Sequence, residues 1–275
     1  MEMTLRWYGT DFDTVTLNQI RQIPGVTGVI TTLYDTKPGE VWSRERIRGM
    51  IGEVEAAGLH VSGIESVNVH DAIKAGLPER MERVKELFAL YRDVDDEKLF
   101  ANLKYFLEKI MPVCDRYDIH MAIHPDDPAW SVFGLPRIII NKENILRMMH
   151  MVDNPHNGVT FCSGSYGTNR DNDLPDMIRS LKGRIHFAHV RNLKFNSPTD
   201  FEEAAHLSGD GDFDMYAIMK ALYETGFEGP IRPDHGRMIW DETAMPGYGL
   251  HDRALGAAYL NGLWEAIEKS AKENG

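Results

Sequence analysis

Short runs rich in β-branched and aromatic residues alternate with longer amphipathic segments along almost the whole chain, and no other feature limits its fold as strongly. The strand-like runs fall at 4–8, 28–33, 60–66, 119–124, 158–163, 184–190 and 229–234. Helical patterns occupy 16–22, 43–57, 81–91, 95–117, 142–152, 174–181, 215–225 and 251–271. Thr16 and Ser43 stand where helix caps belong, and Gly58 and Gly226 stand where helices stop. Such alternation predicts an α/β fold with a parallel sheet. No Gly-x-Gly-x-x-Gly turn follows the first run, so a dinucleotide-binding open sheet is not expected. Polar residues instead collect at the ends of successive strands, where a closed barrel places its active site. The expectation is one TIM-type (β/α) barrel over residues 1–275. A full barrel has eight strands, and this pattern supplies seven. The stretch from 66 to 119 reads as loop and helix, as though about one strand–helix unit were lacking.

Composition removes several function classes. The net charge of −12 comes without a basic tail or stripe, which argues against nucleic acid as a partner. It also repels anionic ligands at long range, so an acid substrate needs a local cation, either a metal or arginines. No apolar run approaches bilayer length, and the first residues lack a signal pattern. The expectation is a cytoplasmic enzyme with no membrane partner. Cys114 and Cys162 are the two cysteines, without Cys-x-x-Cys spacing. Cys114 lies in an apolar helical pattern and reads as core.

Four strand ends carry residues able to do chemistry. His124 ends the 119–124 run, ahead of Pro125-Asp126-Asp127-Pro128. Cys162 closes the next run, His189 the next, and Asp234 the last. Each has a plain structural reading: a hydrogen-bonded histidine, an inert core thiol, a turn at Asp234-His235-Gly236. Their coincidence favours a shared site. The spacings of roughly 25–45 residues match one strand–helix unit each. Two imidazoles, a thiolate and a carboxylate suit a divalent transition metal. Period-two alternation sets Phe187, His189 and Arg191 on one face, and Arg232 with Asp234 on one face. Arg191 thus faces the same pocket as His189, and Arg237 follows Asp234; should the substrate be an acid, as the family resemblance given below implies, Arg191, Arg232 or Arg237 could hold its planar carboxylate. His235 adjoins Asp234, and Tyr248 lies between glycines in Pro246-Gly247-Tyr248-Gly249. Tyr248 reads either as a loop anchor or as a proton donor or acceptor beside a metal.

Taken in order, Arg6-Trp7-Tyr8-Gly9, Ile64-Glu65-Ser66, the 124–128 run, Phe161-Cys162-Ser163-Gly164-Ser165, His189-Val190-Arg191-Asn192, Arg232-Pro233-Asp234-His235-Gly236-Arg237 and Pro246-Gly247-Tyr248-Gly249-Leu250 resemble the mannonate dehydratase family from the first strand to the last helix. The resemblance implies a xylose-isomerase-like barrel and dehydration of D-mannonate to 2-keto-3-deoxy-D-gluconate in hexuronate (glucuronate) breakdown. It implies Mn(II) or Fe(II) on His124, Cys162, His189 and Asp234, with proton transfer by His235 and Tyr248, either one as acid or base. A homodimer or higher homo-oligomer is expected. The family is longer by roughly one strand–helix unit plus an insertion, and the join falls near Glu79-Arg80-Met81. That join is a natural short form, a deletion, or a stretch left out of the sequence. Two other readings stand beside the dehydratase: a metal-dependent sugar isomerase or epimerase on the same barrel, and a non-catalytic remnant.

Overall fold

The chain is described by a computed structural model over residues 1–36, 40–66, 94–132 and 134–273. The expected helix at 81–91 and the join at 80–81 lie outside these residues. Seven parallel strands form one sheet: β1 (Glu2–Arg6), β2 (Val26–Thr31), β3 (His60–Ile64), β4 (Met121–Ile123), β5 (Asn157–Cys162), β6 (Ile185–His189) and β9 (Pro230–Arg232). Their order is β3-β2-β1-β9-β6-β5-β4. The last strand therefore pairs with the first, as barrel closure requires, through Glu2–Pro230 and Met3–Ile231. Among the described residues β3 and β4 end the sheet, and the opening lies between them. All seven strand-like runs of the sequence became strands of this sheet.

The helices are α1 (Leu17–Arg21), α2 (Arg44–Ala56), α3 (Asp96–Tyr117), α4 (Lys142–Met151), α5 (Ser163–Thr168), α6 (Leu174–Ser180), α7 (Met215–Glu224) and α8 (Leu250–Glu273). Their starts follow from local chemistry. Thr16 forms a capping box with Gln19. Ser43, Asp95, Asn141, Asp173 and Asp214 each accept from the backbone three residues on. A hairpin of β7 (Leu193–Ser197) and β8 (Asp200–Glu203) follows β6 and was not expected from the sequence.

Strand parity sorts the side chains. Met3 and Leu5, Val159 and Phe161, Ala188 and Val190, and Ile231 join one buried cluster with the helix residues Ile145, Met148, Ile178, Leu222, Ala257 and Leu260. The opposite parity carries Arg6, Cys162, His189 and Arg232 towards the carboxyl ends of the strands. Period two thus places the polar set and the apolar set on opposite faces.

Candidate metal centre and acid–base pair

Three of the four expected ligands converge. One donor atom from each of His124, Cys162 and His189 lies within 4.8 Å of the others. The fourth, Asp234, places Oδ2 3.4 Å from Cys162 Sγ and Oδ1 3.4 Å from His189 Nδ1. Adjacent strands cause this: Cys162 is in register with His189, and His189 with Arg232, two residues before Asp234.

Each donor is held by its surroundings. His124 directs Nδ1 to the Pro125 carbonyl at 2.7 Å, which leaves Nε2 as the lone-pair nitrogen. Cys162 ends β5 and caps α5, and its sulfur accepts from Ser165 N at 3.3 Å and Ser165 Oγ at 3.1 Å. Ser163 Oγ donates to the Arg191 carbonyl at 2.7 Å and accepts from Arg191 N at 2.9 Å, clamping the ends of β5 and β6 together. Gly164 permits this packing, because a Cβ there would lie 2.2 Å from Arg191 Nε. Asp234 has φ +58°, a left-handed conformation uncommon outside glycine. Arg191 Nε and Arg232 Nη2 flank its carboxylate, each at 2.8 Å.

Charge in this pocket is balanced by opposed pairs. Burial alone would raise the Asp234 carboxyl, but Arg232, His189, His235 and Arg191 outweigh it and hold it well below the usual range. Glu65, just past β3, shows the same competition: burial raises it, while Arg232, His189 and Arg6 pull it down further. Glu65 Oε1 pairs with Arg6 Nη1 at 2.6 Å and Arg232 Nη2 at 3.1 Å, and Oε2 stands 3.4 Å from His189 Nε2.

Buried polar atoms without a hydrogen-bond partner gather at this point. They include His189 Nε2 and Glu65 Oε2, which stand 3.4 Å apart. Native interiors tolerate few such atoms, so their grouping marks a place built for a ligand. An N, N, S, O donor set of this kind fits a divalent transition metal. Glu65 stands at the rim of the same cluster as a fifth potential donor and the second oxygen.

His235 and Tyr248 also come together, with ring centroids 5.2 Å apart. Gly236 N donates to the Gly247 carbonyl and Gly249 N to the Gly236 carbonyl, so the returning loop lies against the strand end. A Cβ at Gly236 would meet the Gly249 carbonyl at 2.6 Å, so only glycine admits this approach. His235 directs Nδ1 to Glu203 Oε1 at 2.9 Å. Tyr248 packs edge-on to Tyr8, with Arg6, Arg232 and Arg253 within 6.0 Å of its ring centroid.

The three arginines differ in placement. Arg232 is buried at the floor between Glu65 and Asp234. Arg191 is wrapped by Asp127, Glu203 and Asp234. Arg237 turns to Asp252, with Nε–Oδ2 and Nη2–Oδ1 both 3.0 Å. Sequence reasoning assigned no role to Arg6, Glu65, Asp127 or Glu203. Glu203 gave no signal because it sits on the unexpected hairpin. Glu65 gave one, as a carboxylate at the end of the third strand-like run.

The solved structure of a xylose isomerase domain protein from Planctomyces limnophilus matches 98% of this chain and 98% of its own, with TM-score 0.64 and 15% identity, a likeness of fold. Fold and donor set together define an α/β barrel of the xylose-isomerase-like kind with a candidate mixed-ligand metal centre. The family model D-mannonate dehydratase (UxuA) matches residues 1–80 and 75–274. The mannonate dehydratase of Brachyspira hyodysenteriae is 52% identical over 355 aligned positions, covering 99% of this chain and 100% of the relative. That of Thermotoga maritima is 46% identical over 357 positions, covering 99% of each. The crystal structure of mannonate dehydratase from Streptococcus suis superposes with TM-score 0.92 at 38% identity, covering 99% of this chain and 95% of that one. The chain belongs to the mannonate dehydratase family, whose reaction class is that of a hydro-lyase. The 355 positions exceed the 275 residues here, so the alignment holds positions without a counterpart in this chain, and the two family matches meet at 75–80.

Proposed function

We propose that this chain dehydrates D-mannonate to 2-keto-3-deoxy-D-gluconate, as a cytoplasmic step of hexuronate breakdown, with Mn(II) or Fe(II) on His124, Cys162, His189 and Asp234. The observation that carries the reading is the approach of His124, Cys162 and His189 within 4.8 Å, beside the His235–Tyr248 pair. No helix of the described residues is long and apolar enough to cross a membrane.

The reaction removes the proton on C2, next to the carboxylate, and the hydroxyl on C3 as water. The enol so formed tautomerises to the 2-keto acid. A divalent ion, when bound, supplies a Lewis acid that draws charge from the substrate carboxylate as the C2 proton leaves. The remaining work belongs to side chains. With Nδ1–H donated to Glu203, His235 presents Nε2 as the proton acceptor. The Tyr248 hydroxyl, beside it, is the donor that protonates the departing C3 oxygen. Arg232 and Arg6 place positive charge at the floor, where the substrate carboxylate would be held, whereas Arg191 is engaged by Asp127, Glu203 and Asp234 and Arg237 by Asp252, so these two support the site rather than orient the acid.

General acid–base groups contribute about 10²–10⁴-fold each. His235→Asn and Tyr248→Phe are each expected to lower kcat within that range while keeping the metal. In D2O, Tyr248→Phe should still exchange the C2 proton of mannonate, and His235→Asn should not. Exchange surviving in His235→Asn removes it as the base.

A further inference from the structure

At the opposite, amino-terminal end of the strands a second donor cluster forms from Asp118, His120 and His156, whose ligand atoms lie within 4.8 Å of one another. Asp118 is the left-handed C-cap of α3, with φ +52°, and projects its carboxylate into solvent. His120 directly precedes β4, and His156 directly precedes β5. Met121 N donates to the His156 carbonyl at 2.9 Å, which fixes the two histidines side by side. Four residues separate His120 from His124, so at about 3.3 Å per residue this cluster stands about 13 Å along the strand from the first centre.

The geometry is that of a cation site with its orienting partner in place. Asp118 Oδ1 lies 2.9 Å from His156 Nε2 and 3.6 Å from His120 Nε2. Ligands about 2.0–2.1 Å from a tetrahedral Zn(II) stand about 3.3–3.4 Å apart, a value these two distances bracket. His156 Nδ1 is 3.0 Å from Asp115 Oδ1, and Asp115 is gripped by Asn154 Nδ2 at 2.8 and 3.1 Å. His156 is hydrogen-bonded to a carboxylate at each ring nitrogen, Asp115 on Nδ1 and Asp118 on Nε2; a metal would replace the Nε2 proton between His156 and Asp118 while Asp115 keeps its hold on Nδ1. Asn154 Oδ1 accepts from His156 N at 2.8 Å, so the residue that holds the carboxylate also holds the histidine backbone. The His120 ring is wedged between His156 and His186, with centroids at 4.9 and 4.7 Å. His186 is itself committed to the Met121 carbonyl at 2.7 Å.

We propose that Asp118, His120 and His156 form a second binding site, for a borderline divalent cation of the Zn(II) class, with water completing its coordination. Such an ion ties the end of α3 to the starts of β4 and β5. It therefore braces the strand that ends the sheet and that carries His124 at its other end. It takes no part in the dehydration.

The probe is Zn(II) itself. Equilibrium dialysis should find one Zn(II) fewer per chain in the double variant His120→Ala, His156→Ala than in the unaltered protein. Dehydratase activity assayed with Mn(II) should be unchanged, and the Cys162→Ala variant should keep the Zn(II) at Asp118, His120 and His156. Asp115→Asn, which leaves all three ligands in place, should weaken this Zn(II) by about 10–100-fold, as losing a ligand's orienting partner does. Equal Zn(II) in the double variant and the unaltered protein overturns the proposal. So does full affinity in Asp115→Asn, a result that stands even if the double variant does not fold.

Discussion

Cys162 and Asp234 meet 3.4 Å apart at the strand ends, and neighbouring side chains hold each of them there. The sulfur takes two donors from Ser165, and the carboxylate takes two guanidinium groups. A thiolate binds a transition metal far better than a hydroxyl. Cys162→Ser should therefore weaken the metal by more than about tenfold, or about 1.4 kcal/mol, read by titration of the metal-free protein. Unchanged affinity in that variant takes Cys162 out of the ligand set. All four ligand candidates were legible in the sequence, because a strand end in a β/α pattern fixes which way a residue faces. Their balancing partners were not. Glu203 meets Arg191 and His235 only after a hairpin folds back, and Arg237 finds Asp252 only across fifteen positions of irregular chain. Such partnerships depend on loop paths, which hydrophobic periodicity does not encode.

Elements were legible to the extent that they repeat. Each of the seven strands lies within a few residues of its sequence run, since a parallel strand covered on both faces reads as a short apolar stretch, as in β5, and the partly buried β3 and β4 keep enough of that pattern to be read. The β7–β8 hairpin escaped because Lys194-Phe195-Asn196-Ser197 and Asp200-Phe201-Glu202-Glu203 carry too few apolar residues to signal strands. The short helix α5 escaped because Ser163-Gly164-Ser165 reads as a turn. The start of α8 tests how the loop carrying Tyr248 is anchored. Burial raises the Asp252 carboxyl, but the Arg237 hydrogen bonds prevail and hold it below its ordinary 3.8. A depressed carboxylate contributes stability above its unfolded value and loses it as pH falls through the folded one. Arg237→Met leaves a buried acceptor unpaired, at about 1–3 kcal/mol. The lower end applies, since Arg237 is 39% exposed. The variant should be less stable than the unaltered protein at pH 7, with the difference shrinking below about pH 4, seen by urea denaturation at both. A difference that does not change with pH contradicts the pairing.

For the whole molecule, the described sheet opens between β3 and β4, and the family matches meet at 75–80, between the same two strands. Strands that end a sheet present unpaired backbone groups and invite other chains. The four proposed ligands all follow that point in the chain, on strands whose mutual pairing is intact. Catalysis also needs the substrate enclosed, and that depends on the whole rim. Compared with the Thermotoga maritima relative, this chain should bind Mn(II) with an affinity within about tenfold, show a lower kcat/KM, and associate more at high concentration. Equal kcat/KM and no added association would mean that the opening is without consequence. The most direct measurement is turnover of D-mannonate by protein stripped with a chelator and then supplied with Mn(II), followed by formation of the 2-keto acid. The account predicts no product from the stripped protein and recovery on adding Mn(II). Product at an undiminished rate without metal, or none after Mn(II) is bound at His124, Cys162, His189 and Asp234, would contradict it.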